Sequence, residues 1–244
     1  MEVLLPAAAR PEANEAERRK QFLFYDDLPF GSWKEGGGDV TGKSDEKIRY
    51  ALSFTSGSLL TREAVIAVPL YERTCDWEAV RKLIGKDNLF QTRTVSSGFR
   101  LAREVAQRLA VLSDDELELL ADAGGMERGY LMWTAACRRY AFIGEFAEEV
   151  VRERFLLFTS TLTYNEFDGF VRGKALWHPE LEDLKESTLK KLRAVVFQML
   201  VEAGLLTDDG EIVPVIISGR LLDAFEARKP SDLRFFPATR GGTQ

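Results

Sequence analysis

The spacing of apolar residues from Tyr50 onward is the feature that most constrains how this chain can fold. Ala102, Val105 and Leu109 recur at intervals of three and four residues, which places them on one face of an α-helix. The same spacing returns in several further stretches, most clearly over residues 189–203. Long alternating runs typical of β-strands do not occur. We therefore predict an all-α fold built from compact helical packing.

One stretch departs from this helical spacing. The turn Asp208-Asp209-Gly210 separates Leu205-Leu206 from the β-branched run Ile212 to Ile217. A turn between two such apolar segments is typical of a short hairpin or an extended segment. We predict at most a short β-hairpin wing over residues 205–217.

Short polar side chains mark where several helices should begin. Asp76 and Ser187 are candidate N-caps, and Ser113 with Glu116 and Thr163 with Glu166 match the capping box. The predicted helices cover approximately residues 58–71, 76–85, 96–112, 113–124, 130–158, 163–171, 179–185, 187–204 and 218–227. Pro69 predicts a kink or an early end of the first helix, and Gly144 is expected to divide the long one.

The chain divides into three parts by composition. Residues 1–49 contain two early prolines and a glycine-rich segment, Gly31 to Ser44, and we expect a weakly ordered extension that its aromatic residues could anchor. Residues 50–227 form the predicted helical domain. Residues 228–244 are expected to be a C-terminal tail.

A phosphate-loop match lies in the extension, from Gly37 to Ser44. Such a loop binds nucleotide phosphates only where an apolar strand precedes it and a helix follows it. The residues before Gly37 cannot form a buried strand, so the sequence gives little support to a nucleotide-hydrolysing enzyme.

Composition also argues against catalysis and against a membrane span. The chain has a single histidine, His178, and only two cysteines, so most triads, zinc sites and thiol–imidazole pairs cannot be assembled. We predict that it is not an enzyme and that it binds no cofactor or metal. Its longest run without a charged or polar residue, Ala64 to Tyr71, is far too short to cross a bilayer. We expect a cytoplasmic protein with no membrane partner.

Two basic regions flank an acidic middle, although the net charge of the chain is −6: residues 51–112 carry a net charge of +3 and residues 187–244 a net charge of +1. At the start of one predicted helix in each region, hydroxyl groups lie beside cationic side chains, a combination that favours a phosphate. The candidate DNA-binding residues are Arg93, Ser96, Ser97, Arg100 and Arg103 in the first helix region and Thr188, Lys190, Lys191 and Arg193 in the second.

Each of these basic helices follows a shorter helix, which is the order of a helix-turn-helix. The first unit is predicted at about residues 76–112, and the second at about residues 178–204 with the possible wing after it. The alternative interpretation is that both helices are ordinary amphipathic helices with a solvated basic face.

Four segments in the same order resemble the BrxA family of BREX bacteriophage-exclusion systems. They are Tyr50 to Ala64, Asn88 to Ser97, Cys137 to Tyr140 and Trp177 to Leu181. The resemblance implies a NusB-like helical fold with two helix-turn-helix units that bind double-stranded DNA. It also implies that the protein works beside a methyltransferase, an ATPase and other BREX proteins without catalysis of its own. Residues 1–49 exceed the usual length of the family, so the resemblance does not support the phosphate-loop match.

Two functional hypotheses follow from the sequence. The first is a non-catalytic double-stranded DNA-binding component of a BREX defence system. The second is an adaptor that holds other BREX proteins together through its acidic middle and aromatic helices, without touching DNA.

Overall fold

The structure is a computed structural model that describes residues 49–238. Eleven α-helical segments follow one another in these residues: α1 (Thr61–Thr74), α2 (Trp77–Lys86), α3 (Val95–Leu109), α4 (Asp114–Asp122), α5 (Gly125–Arg139), α6 (Ala141–Phe146), α7 (Glu153–Leu156), α8 (Tyr164–Ala175), α9 (Pro179–Glu182), α10 (Glu186–Glu202) and α11 (Gly219–Glu226). A π-helical segment (Ala147–Arg152) joins α6 to α7, and a 3₁₀ turn (Asp232–Phe235) follows α11. The prediction of an all-α fold is confirmed.

Helix α5 is the centre of the domain. Every residue from Gly129 to Cys137 is buried, and a helix that is buried on all sides must be covered by other elements. Helices α1, α3, α4, α6 and α10 all contact it. Gly129 packs against the end of α10, where a Cβ would be in ordinary van der Waals contact with the Cα of Ala203, 3.5 Å away.

A cluster of aromatic rings joins the second half of the chain. Phe142 and Phe146 contact Phe167 and Phe170 of α8, with ring centroids 5.3–5.8 Å apart. Phe197 of α10 reaches the same cluster, 6.4 Å from Phe146. Such ring pairs stabilise a core beyond the area that they bury, and here they fix α8 and α10 beside the helix that starts at Ala141.

The extended segment predicted near residue 212 is present as a very small hairpin. Leu206 pairs with Ile212, and Glu211 pairs with Thr161 before α8. Gly210 adopts a φ of 87° at the turn, a conformation that favours glycine. The hairpin therefore lies directly after α10 and is hydrogen bonded to the segment that leads into α8.

The N-caps at Asp76, Ser113 and Thr163 are confirmed, the last two as complete capping boxes. The N-cap at Ser187 is wrong, because α10 begins one residue earlier and its N-cap, Lys185, makes no side-chain hydrogen bond. A capping side chain helps only when its own residue is the last non-helical one, and Ser187 is already inside the helix.

Two other boundaries also differ from the prediction. Helix α1 contains Pro69 and continues to Thr74 rather than ending near Tyr71. The division of the long helix occurs at Tyr140, not at Gly144. Gly144 serves close packing instead, since a Cβ there would lie 2.9 Å from the carbonyl oxygen of Cys137.

A buried ion cluster ties α4 and α5 to the C-terminal end of the domain. Arg138 lies 2.5 Å from a carboxylate oxygen of Glu116 and 2.6 Å from one of Asp232. Burial alone would raise the pKa of Glu116, but its hydrogen bond to the Arg138 guanidinium and the nearby positive charge outweigh this and hold the pKa below its usual range. All three side chains are almost completely shielded from solvent.

Replacing Arg138 by Ala should lower the free energy of unfolding by about 3–5 kcal/mol, because Glu116 and Asp232 would remain buried without a cation. Urea unfolding of the purified variant measures this change. The matched control is Arg139→Ala, the next residue on α5, which is only half-buried and has no carboxylate partner in residues 49–238. If both variants lose the same small amount of unfolding free energy, the ion cluster does not have this structural role.

Candidate nucleic-acid interface

The first predicted set of residues lies at the start of α3. Thr94 is the N-cap of this helix, and its hydroxyl accepts a hydrogen bond from the Ser97 amide at 3.2 Å. Ser96 and Ser97 therefore occupy the first helical turn. Gly98 is buried against Thr92, and a Cβ at Gly98 would lie 2.9 Å from the Thr92 hydroxyl oxygen. This close approach folds the preceding loop over the N-terminus of α3.

Helix α3 is held in place chiefly by α2. The two helices form the most extensive helix–helix contact of the described residues, and they cross where Gly85 meets the ring of Phe99, 2.3 Å from the position that a Cβ would occupy. Helix α1 packs against both. Arg93, Arg100 and Arg103 project from this three-helix unit into solvent.

The second set is divided between solvent and the protein interior. Thr188, Lys190 and Lys191 are exposed on the first half of α10, and Lys190 forms a surface ion pair with Glu186 one turn earlier. Arg193 was expected on the same exposed side. It is instead half-buried, 2.6 Å from Asp168 of α8, and its guanidinium lies over the Tyr164 ring.

The helix that packs beside α10 is α8 rather than the short α9. Phe197 of α10 contacts Tyr164 and Phe167 of α8, while α9 has only four residues. The second helix pair therefore begins near residue 160, earlier than predicted, and it includes the segment that pairs with the hairpin.

The two basic helices meet at one concave site, which we call the basic pocket. It has a volume of about 250 Å³. Its lining consists of Thr55, Ser56, Gly57, Thr92, Ser97, Arg100, Leu101 and Lys191. Two residues of the first predicted set, Ser97 and Arg100, thus come together with one of the second, Lys191, although about 90 positions separate them in the chain.

The loop before α1 closes the pocket, and α10 holds this loop in place. Glu202 of α10 accepts a hydrogen bond from the Leu59 amide at 2.8 Å and another from Gln198 at 2.9 Å. Lys191 lies three helical turns before Glu202 and so shares its face. The loop is therefore fixed at one end of this face by Glu202, and Lys191 reaches the pocket at the other end.

Positive charge in the basic pocket is not compensated locally. Among residues 49–238, those that line it include no acid, and neither Arg100 nor Lys191 forms an ion pair there. Four hydroxyl groups accompany the two cations, although the Thr92 hydroxyl already donates its hydrogen to Asn88 or to the Thr94 carbonyl. Guanidinium, ammonium and hydroxyl donors around one cavity suit an anionic oxygen ligand.

The pocket residues Thr55, Ser56 and Thr92 were not predicted from the sequence. The hydroxyl-rich order Thr55-Ser56-Gly57-Ser58 was visible, but nothing in it indicates that it would lie beside α3 and α10. Gly57 has a φ of 105°, and a Cβ there would approach Leu60 at 2.5 Å, so glycine is required for this turn.

Other kinds of site find little support in the described part of the chain. No group of three histidine, cysteine, aspartate or glutamate side chains is placed there to hold a metal ion. None of the helices between residues 49 and 238 is long and apolar enough to cross a membrane. The phosphate-loop match at Gly37 to Ser44, the rest of residues 1–48 and the last six residues of the C-terminal tail lie outside the described residues.

A sequence model of the BrxA family matches residues 48–229, about three quarters of the chain. The chain belongs to the BrxA family. It is 25% identical over 176 residues to the BREX protein BrxA of Paramagnetospirillum magneticum, a match that covers 71% of this chain and 88% of that protein. It is 26% identical over 148 residues to the BREX protein BrxA of Escherichia coli, covering 61% of this chain and 70% of that one.

The fold of this BrxA-family chain also occurs in a solved structure. The crystal structure of an uncharacterized protein from Magnetospirillum magneticum superposes with a TM-score of 0.69 and 24% sequence identity, over 78% of this chain and 99% of the other. The helical architecture described above is therefore shared with that protein.

Arg193→Ala should destabilise the domain rather than weaken a charged ligand contact. The substitution leaves the half-buried Asp168 without its cation, and we expect a loss of about 1–3 kcal/mol in the free energy of unfolding. The control is Lys190→Ala, an exposed position on the same helix, which should change stability by no more than about 0.5 kcal/mol. If Arg193→Ala is as stable as the wild type but binds duplex DNA more weakly, this expectation is wrong and Arg193 contacts a phosphate.

Proposed function

We propose that this protein is a non-catalytic double-stranded DNA-binding component of a BREX bacteriophage-defence system. The observation that supports this most strongly is the meeting of α3 and α10 at the basic pocket, where exposed cations have no carboxylate partner within residues 49–238. Unpaired cations on one surface attract a polyanion, and neutralised phosphates release their condensed counterions on binding.

The helix pairs favour duplex DNA over other polyanions. Helices α2 and α3 pack as a pair, and α8 and α10 form a second pair followed by the hairpin. Both pairs have the helix order of a helix-turn-helix, and the second is followed by a hairpin in the position of a wing. In that motif the later helix enters the major groove with its N-terminal end first. The proposed DNA contacts lie near those N-terminal ends: Arg93, Ser96, Ser97, Arg100, Arg103, Thr188, Lys190 and Lys191.

The wing itself is not expected to contact the DNA backbone. Its turn carries Asp208 and Asp209, both exposed, and carboxylates at this position repel phosphates. Binding would therefore depend on the helices alone. Membership of the BrxA family, whose relatives are named as BREX proteins, supports other BREX proteins as partners. We further propose that these partners include a methyltransferase and an ATPase, and that the protein works in the cytoplasm, where duplex DNA is available.

A second candidate function is an adaptor that binds other BREX proteins. It is favoured by apolar side chains that remain exposed at the two ends of α8. Phe158 and Leu157 precede the helix with 98% and 72% of their surface exposed, and Leu176 and Trp177 follow it with 79% and 61% exposed. Exposed apolar groups of this size are typical of protein-interaction surfaces.

Changing Arg100, Arg103, Lys190 and Lys191 together to Ala should weaken binding to duplexes of unrelated sequence and flatten its salt dependence. Each lost phosphate contact removes about 0.9 from the slope of log K against log salt, so the slope should fall by about 3.6 if each cation contacts its own phosphate, and by about 2.7 if two of them share one. Fluorescence anisotropy at several salt concentrations measures the slope, and circular dichroism verifies the helical fold.

The matched control replaces Arg220, whose guanidinium pairs with two carboxylates, those of Glu127 and Asp122. Because its charge is largely compensated, the slope should change by less than about 0.9 in this control. Unaltered affinity and slope in the correctly folded fourfold variant would reject DNA binding through these helices and make the adaptor the better account.

A further inference from the structure

We propose that the basic pocket is a phosphate site in which Arg100 and Lys191 together hold one phosphodiester group of the DNA backbone. The proposal rests on the proposed function and adds to it a defined site that is shared by both helix pairs. The two cations come from α3 and α10, and they line the same cavity as the hydroxyl groups of Thr55, Thr92 and Ser97.

The hydrogen bonds at the start of α3 leave one donor available for the ligand. The Thr94 hydroxyl oxygen accepts from the Ser97 amide, and the same hydroxyl donates to the Ser97 side chain at 2.8 Å. A hydroxyl has one hydrogen and two acceptor lone pairs. With one lone pair of Ser97 occupied by Thr94, its own hydrogen is left to donate to a ligand in the pocket.

The size of the pocket suits a phosphate group. Its volume of about 250 Å³ lies below the ~300 Å³ at which pockets for whole organic ligands begin. The lining combines cations and hydroxyl donors with one apolar side chain, Leu101, and includes no carboxylate. A phosphodiester presents two anionic oxygens, which can accept from a guanidinium on one side and an ammonium on the other.

The position of the pocket couples the two helix pairs. Glu202 of α10 holds the Leu59 amide, next to the loop residues Thr55 to Gly57 that line the pocket beside Arg100 and Lys191. A phosphate in the pocket would therefore contact both pairs at once. It would fix the register of α3 relative to α10 on the duplex, which two independent basic helices would not do.

The first test places a carboxylate in the pocket without disturbing the helix. Ser97→Asp and Ser96→Asp each add an acid to the first turn of α3, which contains none, and an acid there stabilises a helix. Only Ser97 lines the pocket. Ser97→Asp should therefore reduce duplex affinity at least about tenfold more than Ser96→Asp, while its melting temperature stays at or above that of the wild type. Equal losses of affinity in both variants would overturn the proposal.

The second test measures whether the two cations share one phosphate. Arg100→Ala, Lys191→Ala and the double variant are titrated with a duplex at several salt concentrations. If one phosphate is shared, the double variant should lose only about 0.9 from the log–log slope, whereas two separate phosphates predict about 1.8. The control pair Arg103→Ala and Lys190→Ala, outside the pocket on the same helices, should behave additively.

The third test uses inorganic phosphate as the probe, followed by amide shifts in NMR spectra. We expect the amide signals of Gly57 and Ser97 to shift until they saturate, and we expect no such shifts in the Arg100→Ala, Lys191→Ala double variant. Duplex DNA should displace the phosphate. Phosphate that binds but is not displaced would assign the pocket to a free phosphate ligand and overturn the DNA assignment. If the double variant lowers the log–log slope of duplex binding by about 1.8, and inorganic phosphate shifts no amide signals, the pocket is not a phosphate site. DNA binding itself would stand in that case. Absence of duplex binding by the wild type would instead refute the proposed function.

Discussion

The burial of α5 on all sides from Gly129 to Cys137 is the constraint on which the rest of the structure depends. No residue from Gly129 to Cys137 can face solvent, so helices from both halves of the chain must cover it. Helix α3 approaches it from the first half and α10 from the second. Because both basic helices are fixed to the same central helix, the position of one determines the position of the other.

The charged residues fall into two groups that this packing separates. In the first group, cations are matched to carboxylates in or near the core: Arg138 pairs with Glu116 and Asp232, and Arg193 pairs with Asp168. Removing one partner of such a pair is costly, since the other charge stays desolvated. In the second group, Arg100 and Lys191 have no carboxylate within residues 49–238, and their charge is available to a ligand.

The distinction between these groups bears on function more than the net charge of −6 does. An acidic protein can bind DNA when its unpaired cations converge on one surface and its carboxylates are paired or lie elsewhere. In the proposed complex, the acidic turn at Asp208 and Asp209 would be repelled by a phosphate backbone. The exposed Phe158 and Trp177 are not among the residues that line the basic pocket.

The sequence by itself determined the helical class, the caps at Asp76, Ser113 and Thr163, and the two basic helices, because apolar spacing and capping depend on neighbours within four residues. The tertiary structure alone decided that Arg193 pairs with Asp168 and that Lys191 lines the same pocket as Arg100. Those residues are 25 and 91 positions apart in the chain. The contact of α8 with α10 brings the first two together, and the packing of α3 and α10 against α5 brings the second two together. Local periodicity assigns a side chain to a helix face, whereas the partner of that face is set by long-range packing.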